Sequence, residues 1–309
     1  MSLLLLAPHH NNLMAWKEAL LEEDPNLDIE IWPNIEDRER VQFILSWNQP
    51  KQTLNRFPNL KVISSLGAGV DHILRDEVLP ENVTVCRIVS PSLVRQMQEY
   101  ILMTVLNYQR NMYAYYQQRT ERKWSEHPNK KPDEIPIGVM GLGTLGKPVA
   151  EILAQNGYQV NGWSHTRRTI EGVDTFASDE LDQFLESTRV LVCLLPLTSD
   201  TEEILNLALF RKLRRPAYLI NAARGEHLVD EDLIYAMDTG WIEGACLDVF
   251  SEEPLPDRHP FWNRQDIMIT PHSASFTLPR EVAGQVIENY KRALSGMEVK
   301  NKIDRDKGY

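Results

Sequence analysis

A glycine-rich turn lies between an apolar run and a helical pattern near the middle of the chain, and it limits the possible folds more than any other segment. Residues 135–140 form an apolar run that predicts a buried strand. Residues 141–146 read Gly-Leu-Gly-Thr-Leu-Gly, and apolar side chains then recur at helical spacing over residues 149–153. Glycines at this spacing permit a tight turn and a close approach of helix to strand. The segment therefore predicts a βα unit of a parallel sheet.

Strand-like segments alternate with helical patterns on both sides of a polar stretch at residues 125–133. After that stretch, predicted strands cover 136–140, 158–163, 190–195, 217–221, 244–248 and 267–270. Before it, predicted strands cover 3–6, 29–32, 41–45, 61–65 and 83–87. We expect an α/β protein in which a doubly wound parallel sheet (Rossmann) is joined to a smaller, flavodoxin-like α/β domain.

The charge and the cysteines exclude several classes of protein. The formal net charge is -11, which disfavours nucleic acid as a partner. The three cysteines, Cys86, Cys193 and Cys246, are far apart and predict neither disulfides nor a metal site. The adjacent His9 and His10 have a poor spacing for ligands and are interpreted as loop residues. No apolar run approaches membrane-spanning length, and we expect a cytoplasmic protein without a metal.

The glycine turn has the spacing of a dinucleotide-binding loop. In such loops the backbone approaches a pyrophosphate closely, and the amides at the start of the next helix face the phosphates. We expect that helix to begin near Thr144. The spacing by itself is weak evidence, because a tight turn without a ligand has the same glycines; the strand before it and the helix after it favour a dinucleotide.

The turn after the second strand of this half indicates which dinucleotide binds. NAD-dependent enzymes place an acidic residue there, on the ribose hydroxyls. Residues 163–168 instead read Trp-Ser-His-Thr-Arg-Arg. Hydroxyls and guanidinium groups suit a 2′-phosphate, so NADP is predicted, with NADPH preferred over NADH. Arg167 is favoured over Arg168 because it lies nearer the strand end; a solvated basic turn is the alternative.

A cofactor at residues 141–146 also implies how the chain divides. The glycine loop lies in the middle of 309 residues, and helical patterns cover 92–124 and 278–296. We predict a discontinuous substrate domain, formed by residues 1–95 and 278–309, and an NADP-binding domain formed by residues 96–277.

Three further segments follow predicted strands of the same sheet. They are Asn-Ala-Ala-Arg-Gly at 221–225, an acidic Glu-Glu-Pro-Leu-Pro at 252–256, and Thr-Pro-His-Ser-Ala at 270–274. Ligands bind at the carboxyl ends of strands in such folds, so we expect these segments to share one site. Each residue type by itself is more often a surface or loop residue than a catalytic one.

Together with the glycine loop, these segments resemble the D-isomer-specific 2-hydroxyacid dehydrogenase family. The resemblance runs from the Gly-Ala-Gly-Val-Asp sequence at 67–71 to His272. The sequence Gln-Met-Gln-Glu-Tyr at 96–100 and the basic turn after Trp163 resemble its glyoxylate/hydroxypyruvate reductase A branch.

The resemblance implies a role for each of three side chains. Arg224 would bind the carboxylate and carbonyl oxygen of a 2-keto acid, which suits a planar guanidinium. His272 would be the proton donor and acceptor, and Glu253 would pair with it and favour the imidazolium. Glu252 is a competitor that the Glu-Pro-Leu-Pro pattern disfavours.

The remaining predicted contacts concern substrate and cofactor. Residues 67–69 resemble the family's loop for the substrate carboxylate, although an ordinary βα turn is equally compatible, and Trp47 could wall a small pocket or be a core aromatic. Predicted substrate contacts are Trp47, Ala68, Gly69, Arg224 and His272. Predicted cofactor contacts are Gly141, Gly143, Thr144, Leu145, Gly146, Trp163, Ser164, Thr166, Arg167, Arg168, Leu195, Pro196, Thr198, Ala222, Asp248, His272 and Ser273.

The predicted function is reduction of a small 2-keto acid, glyoxylate or hydroxypyruvate, by hydride from NADPH. The alternative is a non-enzymatic NAD(P)-sensing partner protein of the same family. Retention of all three catalytic residue types favours the enzyme. A homodimer is also expected, because residues 100–116 carry more tyrosines than one buried helix face needs, and aromatic residues are enriched at interfaces.

Overall fold

The computed structural model describes residues 1–8 and 12–309, so His9 and His10 lie outside the described residues. Contacts along the chain divide it into two compact units. The first unit is formed by Met1–Leu93 and Phe276–Tyr309, and the second by Val94–Ser275. The assignment of substrate to one unit and cofactor to the other stays a prediction.

The first unit is built on a five-stranded parallel sheet. Its N-terminal elements are β1 (Ser2–Leu6), α1 (Leu13–Glu23), β2 (Ile29–Ile31), β3 (Val41–Ser46), β4 (Val62–Ser65), α2 (Asp71–Leu74) and β5 (Thr84–Cys86). The strand order is β2-β1-β3-β4-β5, which is the flavodoxin-like order. The strands read as continuous apolar runs because helices or loops cover both faces; all five residues of β1 are buried.

The second unit contains a seven-stranded parallel sheet. Its elements, with the last helix of the chain, are α3 (Pro91–Gln109), α4 (Met112–Glu121), β6 (Ile137–Met140), α5 (Gly146–Gln155), β7 (Val160–Trp163), β8 (Val173–Phe176), α6 (Leu181–Glu186), β9 (Val190–Cys193), α7 (Leu207–Phe210), β10 (Ala217–Asn221), α8 (Asp230–Asp238), β11 (Ile242–Leu247), β12 (Ile267–Ile269) and α9 (Pro279–Leu294). The strand order β12-β11-β10-β9-β6-β7-β8 contains the doubly wound Rossmann arrangement. The predicted fold class is confirmed.

Helix α9 returns to the first unit and packs beside α1. Arg280 and Lys291 form ion pairs with Glu22 and Asp24 of α1. The hydroxyl of Tyr290 donates to the backbone oxygen of Met1 at 3.0 Å. The apolar side chains that predicted this helix are buried, because they form its face toward the sheet.

Three details of the prediction were wrong. The sequence predicted six strands in the second half and missed β8, which is short, lies at the sheet edge and carries Asp174 and Thr175. The stretch 92–124 is not one helix: it breaks between α3 and α4 at Asn111, whose φ is 55°. Asparagine tolerates this left-handed conformation better than most residues. The helix after the glycine turn begins at Gly146, two residues later than predicted.

The tyrosines of α3 and α4 are mostly used within the chain. Tyr100 and Tyr108 are buried, and Tyr108 stacks on Tyr218 with ring centroids 4.5 Å apart. Tyr113 accepts a hydrogen bond from the hydroxyl of Tyr218 at 3.0 Å. Tyr116 is 57% exposed. The number of tyrosines in this stretch favoured an interface in the sequence analysis. Because most of them pack within the chain, that number does not by itself indicate one.

None of the helices within residues 1–8 and 12–309 is both long and apolar enough to cross a membrane.

Candidate active site

The glycine turn between β6 and α5 is shaped by two close contacts. Gly141 has a φ of +96°, and a Cβ added there would lie 2.6 Å from the backbone oxygen of Leu194. A Cβ on Gly146 would lie 1.7 Å from the backbone oxygen of Gly141. A Cβ on Gly143 would meet nothing within 4 Å, so the middle of the turn faces open space. The outer glycines are required by packing, and the middle one leaves room for a ligand to approach the backbone.

Helix α5 presents its N-terminus to this turn. Val149, Ala150 and Leu153 are buried and fix the helix against the sheet. The amides of Lys147 and Val149 already donate to backbone oxygens of Gly143 and Leu145, and Pro148 has no N–H. The positive end of the helix dipole is therefore what favours an anion at the turn. This geometry fits the pyrophosphate of a dinucleotide.

The basic turn after β7 contains two exposed arginines, and one of them forms an ion pair. The guanidinium of Arg167 forms an ion pair with Glu180 and donates to the backbone oxygen of Thr175. Arg168 is also exposed, and no partner for its guanidinium is found among residues 1–8 and 12–309. Ser164 donates to the backbone oxygen of Thr166 at 2.9 Å. Glu180 was not singled out from the sequence, because it lies 13 residues beyond Arg167.

The turn after β9 is held by a threonine further along the chain. The hydroxyl of Thr201 donates to the backbone oxygen of Pro196 at 2.7 Å and accepts from the amide of Thr198 at 2.9 Å. Leu195 is buried beneath the turn. Leu195, Pro196 and Thr198 therefore have fixed positions at the carboxyl end of the central strand.

Arg224 follows β10 in extended conformation and is only partly exposed. Its Nη1 donates to the backbone oxygen of Ala223 at 2.6 Å. The next residue, Gly225, packs so tightly that an added Cβ would lie 1.9 Å from the carbonyl carbon of Phe250. Only glycine fits here, and this contact joins the loop of Arg224 to the loop that follows β11.

Glu253 and His272 form a direct hydrogen bond. Oε2 of Glu253 lies 2.8 Å from Nδ1 of His272, and Oε1 accepts from the amide of Phe250 at 3.0 Å. Burial raises the pKa of Glu253, but hydrogen bonding to His272 and Phe250 and the positive charges of His272 and Arg224 outweigh it and bring the pKa below its usual value. The structure thus brings Glu253 and His272 together, and the positive charge of Arg224 contributes to lowering the pKa of Glu253.

Asp248 organises the loop that carries His272. The buried carboxylate accepts from Thr270 Oγ1 at 2.5 Å, from the amide of Ser273 at 2.8 Å and from the amide of Ala274 at 2.9 Å. The amide of His272 donates to the backbone oxygen of Asp248, and His272 is held at a φ of 52°. Four donors from one loop converge on one residue, which offsets the cost of that backbone conformation. The predicted contact of Asp248 with the cofactor stays a prediction.

Tyr100 continues this network, and sequence reasoning did not assign it a role. Thr270 has a single hydroxyl proton, which it gives to the Asp248 carboxylate, so the hydroxyl of Tyr100 donates to Thr270 at 2.6 Å. Burial is the main cause that raises the pKa of Tyr100, and the phenol stays protonated. The residues are 170 positions apart, and no local pattern predicts such a contact.

In the first unit, the predicted substrate loop and Trp47 are brought together. The hydroxyl of Ser65 donates to the backbone oxygen of Gly69 at 2.6 Å and accepts from the amide of Gly67 at 3.1 Å. A Cβ on Gly67 would lie 3.0 Å from Cζ3 of Trp47, whose ring also contacts His72. Ser65 and His72 shape this loop and were not singled out from the sequence.

The cysteines are suited neither to metal binding nor to nucleophilic chemistry. Cys86, Cys193 and Cys246 are free and buried. Burial raises the pKa of Cys86 to about 11, of Cys193 to about 12 and of Cys246 to about 11, so these thiols stay protonated. Within residues 1–8 and 12–309, no group of three or more His, Cys, Asp or Glu side chains is arranged to hold a metal ion.

The sequence matches known dehydrogenases over most of its length. Residues 102–274 match the family described as D-isomer specific 2-hydroxyacid dehydrogenase, NAD binding domain. A glyoxylate/hydroxypyruvate reductase A from Yersinia enterocolitica is 40% identical over 300 residues, covering 95% of this chain and 96% of that protein.

Solved structures match the whole fold. A D-isomer specific 2-hydroxyacid dehydrogenase from Xanthobacter autotrophicus, crystallised with NADPH and MES, superposes with a TM-score of 0.93 at 36% identity, covering 100% of this chain and 99% of that one. An NADPH-dependent glyoxylate/hydroxypyruvate reductase from Sinorhizobium meliloti, in complex with NADP and sulfate, has a TM-score of 0.92 at 34% identity, with 100% of both chains covered.

Proposed function

Because this chain belongs to the D-isomer-specific 2-hydroxyacid dehydrogenase family, we propose that it reduces a small 2-keto acid to the 2-hydroxy acid with NADPH. Membership of the family, in the glyoxylate/hydroxypyruvate reductase A branch, confirms the resemblance inferred from the sequence motifs and the prediction of a dinucleotide-dependent dehydrogenase. The hydrogen bond between Glu253 and His272, close to Arg224, is the observation that carries the proposal.

His272 is proposed as the proton donor. Its Nδ1 faces Glu253, so Nε2 is the atom assigned to the substrate. Glu253 is ionised at neutral pH because its pKa lies below its usual value, and its charge favours the imidazolium. When bound, NADPH would supply the hydride that the carbonyl carbon accepts. Nε2 of His272 gives its proton to the carbonyl oxygen. Glu253 then stays ionised beside a neutral imidazole.

Arg224 is proposed to bind the substrate carboxylate and to polarise the carbonyl. Its planar guanidinium can donate to two oxygens at once, which a lysine cannot do in the same geometry. The loop of Arg224 is fixed by the close packing at Gly225, so the side chain leaves from a defined point of the sheet edge. Stabilising the oxygen as charge develops on it lowers the barrier to hydride transfer.

NADPH is proposed as the preferred cofactor, bound along the turns after β6, β7 and β9. The turn after β7 has no acidic residue between Trp163 and Arg168, and it offers hydroxyls and an exposed guanidinium. Of its two arginines, Arg168 is the better candidate for the 2′-phosphate, because Glu180 already neutralises Arg167. The NADP and NADPH complexes of the two structural relatives support NADPH as the cofactor.

Glyoxylate and hydroxypyruvate are proposed as substrates, since the relatives are named for them. Ala68 and Gly69 are proposed to offer backbone amides to the carboxylate, and Trp47 to limit substrate size. The test is a panel of 2-keto acids with NADPH and with NADH, following cofactor oxidation. Turnover of the small keto acids supports the proposal. NADPH binding without oxidation by any keto acid would instead favour a non-enzymatic NAD(P)-sensing protein.

A homodimer is proposed from exposed apolar side chains in and just after α3 and α4. Met103 is 41% exposed, Leu106 42%, Tyr116 57% and Trp124 99%. Large apolar groups are enriched at protein interfaces, and here they cluster within 22 residues of sequence. A second copy of this chain would cover them.

A reducing, cytoplasmic location is also proposed. All three cysteines are free, as is usual where thiols are kept reduced. Fractionation of the cells that make the protein tests this directly.

A further inference from the structure

A fully buried histidine lies three residues after Arg224 and takes no part in the proposed chemistry. His227 is 0% exposed and ends the short turn Gly225–His227 that follows Arg224. Buried polar side chains are retained at a cost unless they are hydrogen-bonded. Both ring nitrogens of His227 have polar neighbours, and these neighbours belong to the site.

The hydrogen bonds around Arg224 determine which nitrogen of His227 carries the proton. The backbone oxygen of Arg224 already accepts from Asn221 Nδ2 at 2.9 Å and from the amide of His227 at 3.3 Å. Nδ1 of His227 lies 3.2 Å from this oxygen and also 3.2 Å from the amide nitrogen of Arg224. Because the two lone pairs of the oxygen are already used, Nδ1 accepts from the amide. The proton therefore sits on Nε2, which faces the backbone oxygen of Pro196 at 3.3 Å.

We propose that neutral His227 is a positioning residue that connects the backbone of Arg224 to the Pro196 turn. Nδ1 fixes the amide of Arg224, and Nε2 fixes the turn after β9. The proposal rests on the function proposed above, in which Arg224 binds the keto acid and the Pro196 turn lies beside the cofactor. One imidazole would then hold the substrate-binding arginine in register with the cofactor-binding turn.

The two nitrogens can be replaced separately. In His227→Asn, Oδ1 lies near the former position of Nδ1 and can accept from Arg224, but the side chain is too short to reach Pro196. In His227→Gln, the amide nitrogen lies near the former position of Nε2 and can donate to Pro196, while the acceptor for Arg224 is lost. Both substitutions keep a neutral amide in the buried site, so each is the matched control for the other.

The measurements are KM and kcat for glyoxylate, Kd for NADPH from quenching of tryptophan fluorescence, and Tm. His227→Gln is expected to raise KM for glyoxylate about 2- to 10-fold with the Kd of NADPH nearly unchanged, the share of one hydrogen bond. His227→Asn is expected to show the reverse, with the Kd of NADPH raised and KM for glyoxylate nearly unchanged. If KM and Kd move together in both variants, in step with Tm, His227 is a packing residue and the proposal is overturned.

Hydrogen exchange of the Arg224 amide tests the proposal without turnover. The amide is expected to exchange faster in His227→Gln than in wild type. It is expected to stay protected in His227→Asn, because only the asparagine offers an acceptor to the amide of Arg224. Equal protection in all three proteins would overturn the assignment of Nδ1. If none of the tested keto acids supports oxidation of NADPH by the wild-type protein, the proposed function is refuted instead. The exchange result would still decide whether His227 holds Arg224.

Discussion

Oε2 of Glu253 lies 2.8 Å from Nδ1 of His272, although the two residues follow different strands. The same carboxylate accepts the amide of Phe250, so its orientation is fixed before any ligand binds. This pair is the central element of the proposed mechanism, and its ionisation determines how activity and stability depend on pH.

Replacing Glu253 with glutamine is expected to move the alkaline limb of the pH profile of kcat/KM to lower pH. A neutral amide does not favour the imidazolium, so the proton donor is lost at a lower pH than in wild type. Reduction of glyoxylate by NADPH from pH 5 to 9 checks this. Glu252→Gln is the control, since it removes the charge of an exposed carboxylate next to Glu253 in the chain. Identical limbs in wild type and Glu253→Gln would contradict the pairing.

The stability that the pair contributes is expected to disappear in acid. The pKa of Glu253 is below its usual value, so its contribution is fully present above the unfolded value of about 4.3 and is lost as pH falls through the lower folded value. The Tm of wild type should exceed that of Glu253→Gln at pH 6, and the two should converge toward pH 3. A constant difference in Tm over this range would argue against a depressed pKa.

Removing Arg224 or His272 is expected to abolish most turnover. His272→Ala should lower kcat by about 10²- to 10⁴-fold, the usual share of general acid catalysis. Arg224→Ala should lower kcat/KM more, because both carboxylate binding and polarisation of the carbonyl are lost. Steady-state kinetics with glyoxylate check both, and Arg214→Ala is a control at an exposed arginine. Near-normal turnover in either variant would refute the assignment.

Cofactor preference is expected to depend on Arg168 more than on Arg167. Arg168→Ala should weaken NADPH binding about 10- to 150-fold and NADH little, since a charge-assisted hydrogen bond to the 2′-phosphate is lost. Arg167→Ala should have a smaller effect, because its guanidinium is paired with Glu180. The ratio of kcat/KM for NADPH to that for NADH decides between them. A wild-type ratio below one would refute NADPH preference altogether.

Asp248→Asn is expected to destabilise the loop that carries His272. The carboxylate accepts three donors, and an amide nitrogen in its place would face at least one of them. The expected loss is about 1–3 kcal/mol in the free energy of unfolding, with reduced kcat. Urea denaturation measures the first quantity, and Asp257→Asn, at an exposed position, is the matched control. Unchanged stability would show that Asp248 does not hold the loop.

Charged substitutions on the exposed apolar side chains of α3 are expected to dissociate the proposed dimer. Met103→Lys with Leu106→Lys would place two charges where a second copy should pack, and charges are depleted in interface cores. Sedimentation equilibrium at micromolar concentration should give dimer for wild type and monomer for the double variant. Met297→Lys is the control at a similarly exposed methionine. A monomeric wild type would exclude the dimer.

Local pattern was sufficient to predict most of the fold. Parallel strands buried on both faces are apolar throughout, and helices repeat their apolar residues every three to four positions, so both can be recognised without tertiary information. The strand β8 was not predicted, because an edge strand needs little apolar surface and can carry Asp174. The break between α3 and α4 at Asn111 was not predicted either, because a single left-handed residue leaves the helical pattern on both sides intact.

The two parallel sheets, the glycine turn and the order of the candidate residues along the strand ends could all be predicted from the amino-acid sequence. Which side chains contact one another became apparent only from the three-dimensional structure. The ion pair of Arg167 with Glu180, the carboxylate of Asp248 beneath the His272 loop and the imidazole of His227 behind Arg224 all depend on it. Periodicity and turn chemistry involve residues that are close in the sequence. A hydrogen bond at a sheet edge instead depends on which strands end next to each other, and those strands can be far apart in the sequence.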